Sequence, residues 1–309
     1  MTYKISQRML EHLLQKQHVK EAVKQEIITD LSTSLDYGVY LFKEWLDDVK
    51  WPTHEARKDP IRYSDVPTMV ADIMAVVTLA CQEPLPLVSV IGMINLTSEL
   101  ESLDSMQLAG DILALLAPVG LYELTKTLSG TYVVQSLIEP SDRLQRQIKI
   151  GCYLPPMVEK PAYLETNSDS GYLTIQKDRV ILKHSRNFHS GPVSLDVLNI
   201  QNANEYELDE HITSQTKPWR RPLLSNLEIY CLRYEDQEKY KNELKTYEAY
   251  LEQFLYLKEL LRDRTIYFTN KVDKRGRIYT QGYHFSSQGS AYEKASINLR
   301  NKQLITGEL

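Results

Sequence analysis

The 309-residue sequence predicts a mainly α-helical protein with short β-hairpins. Three observations favour this class. Apolar residues recur at helical spacing through most of the first half, short runs of β-prone residues flank two glycine turns, and prolines and glycines separate these segments. With 42% hydrophobic and 25% charged residues, the composition is that of folded globular proteins, which excludes collagen-like and disordered chains.

The first half of the chain is predicted to be helical. Ser6 is a candidate N-cap for a helical segment that continues to Ile28. Further helices are expected at about 32–50, 66–82, 86–97 and 102–117. Residues 121–138 differ, because β-prone residues flank Ser129-Gly130 and predict a hairpin. A short helix should follow between Ser141 and Gly151.

The second half alternates extended and helical segments. Prolines 155 and 156 indicate an extended connector, and a hairpin is expected around Lys177-Asp178. Helices are predicted at about 194–213 and 224–261, followed by strand-like residues around a turn at 274–276. The predicted domain boundaries are a helical N-terminal domain at 1–150, a connector and helix at 151–221, projecting helices at 222–263 and a hairpin segment at 264–309.

Charge is distributed unevenly along the chain, whose net charge is −5. Between Arg262 and Lys302, nine basic and three acidic residues give +6; Glu308 adds −1, which leaves 1–261 at −10. Aromatic residues are interleaved with the basic ones: Tyr267, Phe268, Tyr279, Tyr283 and Phe285. Such a segment suits a polyanion such as a nucleic acid, and a solvated charged face is the alternative.

The sequence also excludes several classes of protein. No stretch approaches the roughly 18 apolar residues of a membrane span, and the N-terminal residues lack the apolar core of a secretory signal. We therefore expect a soluble, cytoplasmic protein with no membrane partner. The three cysteines, Cys81, Cys152 and Cys231, are too far apart to predict disulfides or a zinc site. No phosphate-binding loop, metalloprotease motif or carboxylate cluster for a metal pair is present, so no complete catalytic site is predicted.

The residues Asp273-Lys274-Arg275-Gly276-Arg277 carry the most informative chemistry. An acid opens a tight turn, Gly276 supplies an unusual backbone dihedral, and arginines leave the turn on two sides. Arginine donates in a plane to phosphate oxygens, and Asp273 can hold one arginine in a fixed rotamer. Tyr279 should lie on the same strand face as Arg277. An ordinary hairpin turn with no ligand is the alternative.

In its context this turn resembles the D-x-R-G-R-[VI]-Y hairpin of the single-subunit RNA polymerases of phages and mitochondria. In that family a Q-G pair and a lysine follow the hairpin, as Gln288-Gly289 and Lys294 do here. Upstream, residues 198–209 resemble the family's L-N-x-x-Q-x-T-x-W-x-I-N helix, with Asn202, Asn204 and Tyr206 in place of Gln, Thr and Trp. Pro155-Pro156, Pro161 and Gly171-Tyr172 resemble the family's PPxPW…GGGYW connector, with Tyr163 near the place of Trp.

The resemblance implies the small chain of a split, heterodimeric DNA-directed RNA polymerase, because the chain ends before the family's metal-binding aspartates; a truncated polymerase would give the same sequence. Residues 222–263 would form a thumb-like projection, and 264–309 the start of the palm. A second subunit would supply the rest of the palm, the fingers and the Mg²⁺ ions, and no residue of this chain would be catalytic. The implied contacts with the DNA template and the RNA transcript are Asp273, Arg275, Gly276, Arg277, Tyr279, Gln288, Gly289 and Lys294.

The resemblance extends to the N-terminal half only in architecture. It implies that the helical region binds upstream DNA and that the hairpin at 121–138 lies where the family separates DNA strands. A split enzyme of this type suggests a bacteriophage protein in the host cytoplasm. Two alternatives remain open: a non-catalytic single-stranded nucleic-acid-binding or transcription-regulatory protein, and a scaffold whose basic hairpin binds an acidic protein surface.

Overall fold

The fold was obtained as a computed structural model, which describes residues 5–49, 51–94, 96, 100–151, 153, 155–175, 180–182, 191–215 and 224–302. The described residues are mainly helical, with 55% in helices and 10% in strands of small antiparallel sheets, as the sequence predicts. The helices are α1 (Gln7–Leu14), α2 (Lys16–Asp30), α3 (Ser32–Asp47), α4 (Pro52–Lys58), α5 (Val66–Ala80), α6 (Leu87–Ile91), α7 (Ser102–Leu116), α8 (Asp142–Ile150), α9 (Leu195–Asn202), α10 (Glu210–Gln215), α11 (Asn226–Tyr230), α12 (Tyr234–Leu261) and α13 (Ala291–Ala295). The strands are β1 (Leu85–Pro86), β2 (Tyr122–Lys126), β3 (Tyr132–Ser136), β4 (Tyr206–Leu208), β5 (Asn270–Val272), β6 (Ile278–Thr280) and β7 (Ile297–Leu299).

The chain forms two compact units, Gln17–Ile148 and Met1–Lys16 with Lys149–Leu309. The first 16 residues therefore belong with the C-terminal half, whereas the sequence analysis placed them in an N-terminal domain at 1–150. Long-range hydrogen bonds tie these residues to the C-terminal half. The buried carboxylate of Glu11 accepts the backbone N–H groups of Leu173 (2.9 Å) and Thr174 (2.7 Å), and Gln7 Oε1 accepts that of Val158 (2.7 Å).

In the unit Gln17–Ile148, helices α3, α5 and α7 pack around one apolar core. Its fully buried members include Phe42, Val70, Ala75, Ile112 and Leu113. The predicted hairpin at 121–138 is confirmed as β2 and β3, with Gly130 in the turn at φ +87°. β1 pairs with the other edge of β3, so the sheet order is β1-β3-β2.

In the unit that contains the C-terminal half, a second core joins α1 and α12 to the strands near the C-terminus. Its buried residues include Leu10, Phe254, Leu261, Phe268 and Phe285. The predicted hairpin around Lys177-Asp178 lies outside the described residues.

Several predicted helices are shorter than expected. The helix predicted from Ser6 to Ile28 breaks at Gln15, and its two parts contribute to different cores. Of the helix predicted at 86–97, the described residues form only Leu87–Ile91, and Pro86 pairs with β3 instead. The prediction at 194–213 is wrong across β4, which pairs with β7 and separates α9 from α10.

Within the part of the chain that the structure describes, no single helix is both long enough and apolar enough to cross a membrane. Pro52–Ile61 and Val66–Ala80 reach the required length and apolar character only when taken together, and the two are bent by 94° relative to each other.

Candidate nucleic-acid interface

The predicted basic turn joins β5 to β6, which pair antiparallel with Asn270 opposite Thr280. Two backbone hydrogen bonds of 2.9 Å close the turn, from Asp273 N to Arg277 O and from Gly276 N to Asp273 O. Gly276 has a φ of +80°, a left-handed conformation that glycine adopts without steric cost. The backbone of the turn therefore favours glycine at this position.

The carboxylate of Asp273 organises the turn from its inner side, where the residue is only 7% exposed. Its Oδ1 accepts the backbone N–H groups of Arg275 (2.9 Å) and Arg277 (3.0 Å). Its Oδ2 accepts Arg277 Nε (2.7 Å) and the Tyr279 hydroxyl (3.2 Å). Burial acts to raise the pKa of Asp273, but hydrogen bonds from Arg277 and its charge outweigh burial and lower that pKa. Asp273 is therefore ionised at neutral pH and braces Arg277, as the sequence predicts.

The two arginine side chains extend into solvent, with 72% of Arg275 and 53% of Arg277 exposed. Arg277 directs Nε and Nη2 at Asp273. The Tyr279 ring lies 5.6 Å from the guanidinium carbon of Arg277, so the two side chains are neighbours as expected. A braced, planar set of donors of this kind suits phosphate oxygens.

Gln288 and Gly289 support the hairpin from behind. The Gln288 side chain bonds to the backbone of β6, accepting from Thr280 N (3.0 Å) and donating to Ile278 O (2.8 Å). Its amide is thus engaged with the protein backbone. A Cβ on Gly289 would lie 2.8 Å from Cδ of Glu293, whose side chain folds over this glycine. Gln288 therefore positions β6, and Gly289 leaves room for the side chain of Glu293.

Lys294 lies in α13, directly after Glu293, and is exposed. It forms no ion pair with a described residue. Among the other basic residues of this segment, Arg264 donates from Nη1 to Ile5 O (2.6 Å), and Arg262 pairs with Glu259 (3.0 Å). Lys274 is exposed in the turn itself. Of the contacts predicted from the sequence, the exposed cations are Arg275, Arg277 and Lys294.

The three segments that resemble polymerase motifs meet at the chain leading into the hairpin. Met157, after the paired prolines, exchanges two backbone hydrogen bonds with Tyr267 (2.8 and 2.9 Å). Asn202, in the motif helix, accepts from both the backbone N (2.9 Å) and the side chain (3.0 Å) of Asn270. Gly171 leaves room for Thr269, whose Cβ would lie 3.0 Å from an added Cβ.

The sequence analysis did not identify the residues of α12 that contact the segment following the hairpin. Tyr250 donates to Glu293 Oε1 (3.1 Å), and Gln253 pairs with the buried His284 (3.0 Å). These residues are separated by more than 30 positions and share no local motif. Gln253, a polar residue within the apolar stripe of the predicted helix, could have indicated that this part of α12 makes a buried polar contact.

Within the described residues, no group of three or more His, Cys, Asp or Glu side chains is placed to hold a metal ion. We therefore assign no metal to this part of the chain. In comparisons with known proteins, the chain matches no family profile and no curated sequence. The resemblance to single-subunit RNA polymerases consequently rests on the motifs described above, and a function for the chain is a proposal.

Proposed function

We propose that this chain is the small subunit of a heterodimeric DNA-directed RNA polymerase of the phage and mitochondrial type. One observation carries the proposal: the buried, ionised Asp273 braces a turn from which Arg275 and Arg277 extend into solvent. The turn has the sequence of the family's hairpin, and the two other motif segments contact the chain leading into it. The bracing favours a site for a ligand with closely spaced negative charges.

In this proposal the hairpin grips the RNA:DNA hybrid near the growing end of the transcript. Arg275, Arg277 and Lys294 contact backbone phosphates, and Tyr279 supports Arg277. An A-form hybrid is recognised by its shape, its phosphates and its 2′-hydroxyls, so no base-specific contact is needed. The partner chain holds the Mg²⁺ ions and carries out nucleotidyl transfer, and this chain keeps the reacting ends aligned.

Helix α12 is the proposed thumb-like element. Its 28 residues extend over about 42 Å. The buried residues lie in its C-terminal part, among them Phe254, Leu257 and Leu261, whereas the first turns are mostly exposed. A helix anchored at one end can extend along a duplex. The chain from residue 264 onward is the proposed start of the palm.

The unit Gln17–Ile148 is the proposed contact with upstream DNA, at its β2-β3 hairpin. The unit has 10 Lys and Arg residues and 19 Asp and Glu residues, which gives a net charge of −9. Most of an acidic surface repels a polyanion such as DNA. The hairpin tip differs, because Leu128 is fully exposed there and Lys126 Nζ lies 5.4 Å from the Tyr132 ring. An apolar tip of this kind can insert between base steps.

The proposal is tested by purifying the chain with its natural partners, identifying any copurifying protein by mass, and measuring RNA synthesis. We expect a partner that carries two metal-binding aspartates, and no synthesis by this chain alone. In the reconstituted enzyme, Arg277→Ala should sharply reduce synthesis and leave the two chains associated. Normal elongation by that variant, with assembly unchanged, would refute the role of the turn.

A second candidate function is a non-catalytic single-stranded nucleic-acid-binding protein. Tyr230 at the end of α11 and Tyr234 at the start of α12 are 80% and 76% exposed, and bases stack on exposed aromatic rings. Binding a single strand much more tightly than a hybrid of equal length would favour this candidate. For the scaffold alternative, an acidic protein bound to the turn should not be displaced by an RNA:DNA hybrid.

A further inference from the structure

The C-terminal part of α12 packs directly on the segment that follows the hairpin. The ring of Phe254 lies 4.9 Å from that of Phe285 and 5.6 Å from that of Tyr292, between ring centroids. Tyr250 lies 4.8 Å from the ring of His284. This contact is buried and apolar, so α12 and residues 284–292 are held together by packing.

Two polar contacts cross the same interface. Gln253 Nε2 donates to Lys149 O (2.8 Å), which leaves its Oε1 to accept from His284 Nε2 (3.0 Å). Burial lowers the pKa of His284 to about 4, so at neutral pH the ring is uncharged and has its proton on Nε2. Burial also raises the pKa of Tyr250, so its hydroxyl stays protonated and donates to Glu293 Oε1 (3.1 Å), which is nearer than the other acceptor, His284 O (3.5 Å). Both contacts therefore have defined donors and acceptors.

Glu293 links this interface to the backbone before α13. While Oε1 accepts from Tyr250, Oε2 accepts the backbone N–H of Ser290, and Ser290 Oγ accepts the backbone N–H of Glu293 (3.2 Å). This reciprocal capping box defines the start of α13. Gln288, two residues earlier, bonds to β6. A chain of contacts thus runs from α12 through Glu293 to Lys294 on one side and to the hairpin on the other.

We propose that Tyr250 is a positioning residue that acts through Glu293 to set the place of Lys294 in α13. The grip on a duplex then depends on the position of α12, because the thumb-like helix and the phosphate-binding cations share this link. The inference rests on the proposed function, since it assumes that Lys294 and the hairpin bind an RNA:DNA hybrid.

The test uses the full chain, a fluorescently labelled RNA:DNA hybrid, and anisotropy titrations at several salt concentrations. Tyr250→Phe keeps the ring and removes only the hydroxyl. We expect hybrid affinity to fall about 2- to 10-fold, the range for one lost hydrogen bond, and the salt slope to become shallower by about 0.7–0.9, the equivalent of one phosphate contact. Tyr256→Phe, on the same helix, is the matched control and should leave affinity and slope unchanged.

A double-mutant cycle separates positioning from general stability. If Tyr250 acts through Lys294, Tyr250→Phe should have no further effect on affinity in a Lys294→Ala background. Equal effects in both backgrounds, or an unchanged affinity and slope with only a lower melting temperature, would overturn the inference. Should the Tyr250→Phe chain not fold, Glu293→Asp replaces it, since aspartate keeps the charge but is one methylene shorter and cannot reach both Tyr250 and the Ser290 backbone. A wild-type chain that binds no hybrid would instead refute the proposed function.

Discussion

The salt dependence of hybrid binding gives the most direct test of the turn at 273–277. We expect three phosphate contacts: from Arg275 and Arg277, which extend from the turn into solvent, and from Lys294, which is exposed in α13. Each contact releases counterions and contributes a slope of about −0.7 to −0.9 to log K against log salt. The association constant should therefore fall about 20- to 40-fold between about 50 and 200 mM salt.

Replacing Arg277 with Ala removes one of these contacts. The same change in salt should then reduce the association constant only about 7- to 12-fold. The measurement is fluorescence anisotropy of a labelled hybrid titrated with the full chain at four or more salt concentrations. Lys43→Ala, which removes an exposed cation from α3, is the matched control and should keep the wild-type slope.

Two results would contradict the interpretation of the turn. A slope unchanged by Arg277→Ala would show that this guanidinium contacts no phosphate. An equal decrease in slope for Arg277→Ala and Lys43→Ala would show that binding follows total charge and that the hairpin is not a specific site.

Three further predictions concern stability and are measured by urea unfolding. The buried Tyr122 hydroxyl donates to Leu113 O (2.5 Å), so Tyr122→Phe should cost about 1–3 kcal/mol by leaving that carbonyl unsatisfied; a loss below the error of the measurement would contradict the contact. Phe254→Ala should cost about 3–5 kcal/mol because it empties a buried site, whereas Leu255→Ala, half-exposed on the next position of α12, should cost much less. Burial lowers the pKa of His284 from 6.5 to about 4. Between these pH values the unfolded chain therefore binds a proton that the folded chain does not. The free energy of unfolding should fall by about 3 kcal/mol as the pH drops from 6.5 to 4. In His284→Gln that part of the pH dependence should disappear, and an identical pH profile would refute this assignment.

Local sequence patterns predicted the elements that depend on neighbouring residues. The hairpin at 121–138 was correct because β-prone residues flank a glycine, and Gly130 indeed has a positive φ. Ser6 was correctly identified as an N-cap, with its side chain accepting from Met9 N. The role of Asp273 in bracing Arg277 was also predictable, since the four-residue spacing places both in one turn.

Helix boundaries were less predictable where a distant strand competes for the same residues. Tyr206–Leu208 has a helical context, yet it pairs with Ile297–Leu299, about 90 residues away. Asp209 then starts a new helix by accepting from Ile212 N (2.9 Å). The residues around Tyr206–Leu208 carry no information about the strand Ile297–Leu299 with which they pair.

The amino-acid sequence by itself determined the helical class, the two glycine turns and the chemistry of the basic turn, because each depends on residues a few positions apart. Only the tertiary structure decided which distant residues contact the segments before and after that turn. Gln288 on β6, Asn202 on Asn270 and Tyr250 on Glu293 come together through folding. Such hydrogen bonds form because polar groups removed from water need partners, and the partner is whichever group the packed cores bring within reach.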